Sequence, residues 1–181
     1  MSDRAQDPDE VFDVVDAANR VIGRERRSVI HARGLRHRAV HLLWLDARGL
    51  LCLQRRSFRK DSCPGLISTS CAGHLDAGED YLPAMVRELR EENGVVVDPA
   101  ALAEVDAPPE HADLGHEFVR VYLLRGDHPF RIHPPEVDAL LWRTPAEADA
   151  WSRRDPRAFS TSFVHLMARP AVRAALGLAK G

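Results

Sequence analysis

The sequence predicts an α/β fold in which a mixed β-sheet is covered by helices on both faces. With 181 residues, the chain is long enough for one large core and short of two domains of ordinary size. Short apolar runs typical of strands alternate with amphipathic runs typical of helices. No linker or repeat divides the chain. We therefore expect a flexible, polar N-terminus over residues 1–10 and a single domain over residues 11–181.

Composition and charge exclude several functional classes. Hydrophobic residues make up 45% and charged residues 29% of the chain, as in ordinary globular proteins. A net charge of -2 argues against a broad surface for nucleic acid or membranes. No run approaches the roughly 18 apolar residues of a membrane span, and the acidic start is unlike a signal peptide. Three cysteines without metal-binding spacing suggest the reducing cytoplasm.

The first half of the chain predicts strands. Alternating residues over 11–27 predict an N-terminal β-hairpin, which either pairs with a partner subunit in a homodimer or caps its own sheet. A basic segment over 31–38 is expected to be a loop. The run over 39–45 is apolar at nearly every position and predicts a central strand. Further strands are expected over 50–56 and 67–71.

The second half mixes strands and helices. A helix is expected over 83–93, because proline is tolerated in a first turn and no breaker follows. Thr144, Pro145 and Glu147 form an N-cap, a first-turn proline and a capping-box acid, so another helix should begin at Pro145. Two more helices follow, the last after Pro170. The expected strands lie over residues 95–97, 102–105, 117–124 and 139–142.

Residues 73–95 form the only segment whose spacing makes a specific chemical demand. They fit the pattern G-x5-E-x7-R-E-U-x-E-E-x-G-U, in which U is a bulky aliphatic residue. The matching residues are Gly73, Glu79, Arg87, Glu88, Leu89, Glu91, Glu92, Gly94 and Val95.

The three glutamates of this segment predict a metal site. Glu91 and Glu92 follow Glu88 by three and four residues and so lie near it on one helix face, where like charges repel each other. A divalent cation gives a reason to gather them, since Mg²⁺ and Mn²⁺ prefer carboxylate oxygens. Arg87 could pair with Glu79 and fix the preceding loop to the helix.

The segment resembles the Nudix box, and its flanks over residues 37–65 and 136–147 look like the branch that includes isopentenyl diphosphate isomerase. The resemblance implies an α/β/α sandwich and the hydrolysis of a nucleoside diphosphate linked to another group, X. It implies that Glu88, Glu91 and Glu92 bind Mg²⁺ or Mn²⁺, with the Gly73 carbonyl as a further ligand. Glu91 or Glu92 would be the base for the attacking water, and we place these two with Glu79 and Arg87 in the catalytic group.

The expected partner is a small-molecule diphosphate. Arg55, Arg56 and Lys60 cluster around a strand end, where cations could hold phosphate groups. Glu117 begins a strand and would add a carboxylate if that strand end lies beside the box helix. Glu136 could also reach the substrate.

Two other functions remain open from the sequence. In the isomerase a cysteine directly precedes the Gly-His pair of the box, whereas this chain has Ala72 there and Cys71 one place early. His37, His74 and Glu117 fall where the isomerase binds its own metal and form a candidate second metal site. The third alternative is a module that senses a diphosphate without cleaving it, although the complete box argues against that. The sequence does not identify X.

Overall fold

The structure is a computed structural model that describes residues 6–179. These residues form nine β-strands and five α-helices. The strands are β1 Val11–Val15, β2 Val21–Arg26, β3 His37–Leu45, β4 Leu51–Arg56, β5 Ile67–Ser68, β6 Cys71–His74, β7 Ala103–Asp106, β8 Glu117–Arg125 and β9 Val137–Arg143. The helices are α1 Arg27–Arg33, α2 Tyr81–Asn93, α3 Pro145–Arg154, α4 Thr161–Met167 and α5 Pro170–Ala175. Residues 1–5, which include half of the predicted flexible N-terminus, lie outside the described range.

Strand β3 is the centre of the main sheet, as its apolar run predicts. It pairs in parallel with β8 from His37 opposite Glu117 to Leu45 opposite Arg125. On its other edge it pairs antiparallel with β6 and, at its end, with β4. Strands β5 and β9 pair with β4, and β7 pairs with β8. The mixed sheet of the prediction is therefore confirmed.

Helices cover both faces of this sheet because residues of β3 alternate between two cores. Val40 and Leu42 pack in one core with Leu89 of α2. Leu43 packs in the other core with Phe163 of α4. Side chains on a strand point to opposite faces in turn, so one apolar strand supplies both cores. The α/β/α sandwich is confirmed. Within residues 6–179, none of the helices has the length and hydropathy of a membrane span.

The N-terminal hairpin is also confirmed, and it contacts the loop before α2. Strands β1 and β2 pair antiparallel. The backbone N–H of Ala77 donates to Val11 O at 2.9 Å, and that of Gly78 donates to the Asp13 carboxylate at 2.8 Å. The hairpin thus supports the box loop of its own chain.

Local structure differs from the sequence prediction in three places. Residues 27–33 form helix α1 where we expected the end of a strand and a loop, because burial of Ile30 and a left-handed cap at Gly34 hold a short helix without a side-chain N-cap. The run predicted as one strand over 67–71 is split between two partners, β4 and β3. Residues 95–97 form no strand, although Val95 is buried in the core under α2.

Gly94 offers a test of how the box helix ends. It has φ of 66°, and a Cβ there would lie 2.7 Å from Arg131 O. We expect Gly94→Ala to lower the free energy of unfolding by about 2 kcal/mol or more, since it adds steric overlap to left-handed strain. Gly49→Ala is the control, because Gly49 has φ of 80° with no atom within 4 Å. If urea denaturation showed the same loss of unfolding free energy in both variants, the Arg131 backbone would not press on position 94.

Candidate active site

Helix α2 presents one face to the core and another to a cavity. The Asp80 side chain caps its start by accepting from Tyr81 N–H, and Gly94 ends it in the left-handed conformation. Met85 and Leu89 are fully buried on the core side. Glu88 and Glu91 line a cavity of about 710 Å³ on the other side.

Strand β6 passes so close to α2 that a Cβ on Gly73 would overlap the carboxyl group of Glu88. Any other residue carries that atom and would force the end of the Glu88 side chain to move away. The first glycine of the box therefore lets the backbone of β6 lie against the Glu88 carboxylate. This cradle of backbone and carboxylate oxygen suits a hard divalent cation.

Arg87 holds the carboxylates of the box together. Its guanidinium binds both oxygens of Glu79, at 3.0 and 2.8 Å, so the predicted contact between loop and helix is present. It also donates to Glu88 at 2.8 Å, to Glu91 at 3.2 Å and to the His74 carbonyl at 2.8 Å. The planar group makes these bonds in fixed directions, which orients three acids and a strand end at once.

The Glu88 carboxyl group is adapted to a cation. Burial, the neighbouring charge of Glu92 and only partial compensation by Arg87 raise the pKa of Glu88 to about 8. At neutral pH without a metal the group therefore prefers to hold a proton. A divalent ion would take the proton's place, so the residue type and its surroundings fit metal binding.

Glu92 behaves differently from its two neighbours. It is fully buried, accepting from Gln54 Nε2 at 2.8 Å and from Lys60 Nζ at 3.1 Å. Burial works to raise the pKa of Glu92, but the Lys60 charge and the Gln54 hydrogen bond outweigh it and lower that pKa. Lys60 also donates to Glu136 at 2.8 Å. Glu92 thus stays ionised, with a protein partner for each of its two oxygens.

The predicted substrate cations lie in different surroundings. Among the described residues, Arg56 of β4 and Lys60 of the loop after it line the cavity, whereas Arg55 is absent from its wall and binds the Asp138 carboxylate. Neighbouring residues of a strand point to opposite faces, which separates Arg55 from Arg56. The assignment of Arg55 to the substrate stays a prediction that the cavity wall does not support.

The predicted histidine and carboxylate group comes together at the other side of the cavity. The pairing of β3 with β8 sets His37 opposite Glu117. Glu117 Oε1 lies 3.0 Å from His74 Nε2 and 3.5 Å from His37 Nε2. His31 of α1 adds a third imidazole, since one ligand atom from each of the three histidines lies within 4.8 Å of the others.

Arg27, which the sequence analysis did not single out, fixes the proton on His74. It is buried, and its Nη1 lies 2.9 Å from His74 Nδ1. A guanidinium only donates, so Nδ1 accepts and Nε2 carries the proton that bonds to Glu117. Burial lowers the pKa of His74 to about 3 despite the Glu117 hydrogen bond, so the ring is neutral. A metal at His74 Nε2 would require Arg27 to release Nδ1.

His37 is better suited to bind a metal. Its Nδ1 lies 2.9 Å from Leu35 O, and since a carbonyl only accepts, Nδ1 carries the proton. The lone pair of Nε2 is then buried without a hydrogen-bond partner and faces Glu117. Two of the three predicted ligands of the second site therefore fit a metal as they stand. His74 fits only after its tautomer changes.

Comparisons with known proteins identify the family of this chain. The NUDIX domain family model matches residues 35–163. The chain is 32% identical over 164 residues to an isopentenyl-diphosphate Delta-isomerase of Serratia proteamaculans, covering 88% of this chain and 90% of that protein. It is 30% identical over 156 residues to YfcD of Escherichia coli, an uncharacterized Nudix hydrolase, covering 83% and 82% of the two chains.

The fold has a close match among solved structures. The crystal structure of DR0079 from Deinococcus radiodurans superposes with a TM-score of 0.75 at 26% identity, covering 87% of this chain and 97% of that one. The family match extends on both sides of the segment that holds Gly73, Glu79, Arg87 and the three glutamates. The chain therefore belongs to the Nudix family.

Proposed function

We propose that this protein is a divalent-metal-dependent hydrolase that cleaves a phosphoanhydride bond in a nucleoside diphosphate linked to X or in a related organic diphosphate. The observation that carries the proposal is the arrangement of Glu88 and Glu91 around Arg87, with the backbone of Gly73 against Glu88. Arg56 and Lys60 supply positive charge to the same cavity. Carboxylates on one side and cations on the other suit a metal-bound diphosphate.

The metal would be Mg²⁺ or Mn²⁺, which Nudix hydrolases generally need. Glu88, Glu91 and Glu92 would hold it, with the carbonyl of Gly73 as a further ligand. A bound ion neutralises diphosphate oxygens and lowers the pKa of its water. Glu92 joins this set after exchange of Lys60, which would then be free to turn its ammonium group toward the substrate.

The chain's own residues supply position and proton transfer. Glu91 is our choice for the general base, because its side chain is 46% exposed and faces the cavity, whereas both oxygens of Glu92 are engaged. Arg87 holds Glu91 in place at 3.2 Å. Arg56 and Lys60 would bind the phosphates and hold the leaving oxygen in line, as phosphoryl transfer requires.

The isomerase is the second candidate, favoured by the group of His37, His74 and Glu117. Cys71 argues against it, since burial and the charges of Glu92 and Glu88 raise its pKa well above the usual value. Among the described residues, the cavity wall includes Ala72 but not Cys71. The wall has apolar residues such as Phe12, Ala39 and Leu114, and it also carries several hydroxyl groups. The hydroxyl-bearing residues of the wall are Ser62, Ser68, Ser160, Thr161 and Ser162.

Phosphorus NMR of the purified protein with Mg²⁺ tests the three functions together. The panel includes nucleoside di- and triphosphates, ADP-ribose, dinucleotides and isopentenyl diphosphate. We expect new phosphate signals from at least one nucleotide substrate. Double-bond migration without phosphate release would favour the isomerase instead, and binding without turnover would favour a sensing module.

Removing one carboxylate charge tests the site itself. We expect Glu88→Gln and Glu91→Gln each to reduce kcat by a factor of about 100 or more with folding intact, since a neutral amide is a poor metal ligand and a poor base. Glu25→Gln on the exposed strand β2 is the control and should keep parental turnover. Near-parental rates in both site variants would place catalysis elsewhere.

The pKa of Glu88 predicts how stability depends on pH. Its folded-state pKa of about 8 lies above the ordinary value of 4.5, so the metal-free folded state holds a proton that the unfolded state releases. The stabilisation that this bound proton gives the folded state is complete at low pH and is lost as pH rises toward 8. Between pH 6.5 and 8 we expect stability to fall by about 1 to 2 kcal/mol.

Urea denaturation in EDTA across this pH range measures the effect. Glu88→Gln should flatten the slope, because an amide does not titrate. Adding Mg²⁺ should reverse the sign of this slope in the parent protein, since metal binding requires the deprotonated group. An identical slope in parent and variant would contradict the assignment.

A further inference from the structure

A second cluster of metal-ligating side chains lies where the loop between β7 and β8 meets α4. His111 and Asp113 belong to this loop, and His165 lies in the last turn of α4. The two imidazole rings are 4.5 Å apart with an angle of 36° between their planes. Asp113 Oδ2 lies 3.4 Å from His111 Nδ1 and 3.6 Å from His165 Nδ1. One ligand atom from each of the three side chains thus lies within 4.8 Å of the other two.

We propose that His111, Asp113 and His165 bind a divalent transition-metal ion such as Zn²⁺, at a site separate from the glutamates of α2. Zinc binds histidine nitrogen and carboxylate oxygen at about 2.0 to 2.2 Å, so two ligands of one tetrahedral ion lie about 3.4 Å apart. The distances from Asp113 to the two imidazoles match that spacing. Imidazole ligands select transition metals over Mg²⁺.

One hydrogen bond of the cluster identifies the ring nitrogen that could bind a metal. His111 Nδ1 accepts from the backbone N–H of Asp113 at 3.1 Å, so in the neutral ring this nitrogen bears a lone pair. A metal at Nδ1 would replace this hydrogen bond and join the imidazole to the Asp113 carboxylate, whose Oδ2 lies 3.4 Å away.

The backbone around the cluster is fixed independently of a metal. Thr161 Oγ1 donates to Asp113 O at 2.9 Å and ties the loop to the start of α4. The Ser160 side chain caps that helix by accepting from Phe163 N–H. The ligands are therefore held near their positions before binding, which reduces the ordering cost. Three protein ligands leave a fourth position for water.

A metal ion at this position would stabilise one wall of the large cavity. Asp113, Leu114 and Thr161 also line the large cavity, and Glu117 begins β8 shortly after the loop. An ion that joins Asp113 to His165 would clamp this wall of the cavity to α4. The inference does not depend on the reaction that the cavity performs.

Cobalt binding to the whole protein tests the site, because Co²⁺ substitutes for Zn²⁺ and absorbs visible light. We would titrate Co²⁺ in excess Mg²⁺, which occupies the glutamates, and in a His37→Ala background, which disables the other histidine group. One Co²⁺ should bind with tetrahedral absorption bands. Adding His165→Ala should weaken this binding by at least about tenfold, since a direct ligand is lost.

Two further variants complete the design. Asp113→Asn should weaken Co²⁺ binding in the same way, without removing an imidazole. His128→Ala is the control, because His128 lies outside both histidine groups and should leave binding unchanged. Circular dichroism would establish that each variant is folded. The absence of tetrahedral Co²⁺ in the His37→Ala protein, or unchanged binding after both His165→Ala and Asp113→Asn, would overturn the proposal.

Discussion

The fork of hydrogen bonds from Arg87 is the interaction on which the candidate active site depends. The Arg87 guanidinium holds Glu79, Glu88 and Glu91 around itself, together with the His74 carbonyl at the end of β6. Carboxylates brought this close repel each other, and burial makes the repulsion stronger. The positive charge of a single planar guanidinium offsets this repulsion, and its hydrogen bonds have fixed directions. The acids therefore stay together without a metal ion.

Two other buried cations divide the remaining charges around the cavity. Lys60 lies between Glu92 and Glu136, and Arg27 lies between His74 and Asp61. Each is nearly inaccessible to solvent, where an unpaired charge would be very costly. Lys60 therefore keeps one box glutamate ionised, while Arg27 sets the tautomer of the histidine next to the first box glycine. The cavity wall is organised by three cations from three different segments.

Residues that belong to the motif could be predicted from the sequence. Gly73, whose backbone touches Glu88, and the contact of Arg87 with Glu79 are examples. Arg27 and Gln54 were not predicted, because neither lies in a motif and both act through partners distant along the chain. Arg55 was grouped with Arg56, although the pleat of β4 turns them to opposite sides. Helix α1 was missed because a buried side chain and a glycine cap, and not an N-cap signal, define it.

By itself, the sequence determined the α/β/α sandwich, the box helix and the acids that this helix carries, since periodicity, capping residues and motif spacing are properties of neighbouring positions. Only the tertiary structure decided which acid faces the cavity and which is buried against Lys60. That choice depends on how β4, β6 and the loop before β9 pack around α2. Burial and charge pairing arise from segments far apart in the chain, so the same residue type acquires different protonation behaviour at Glu88 and Glu92.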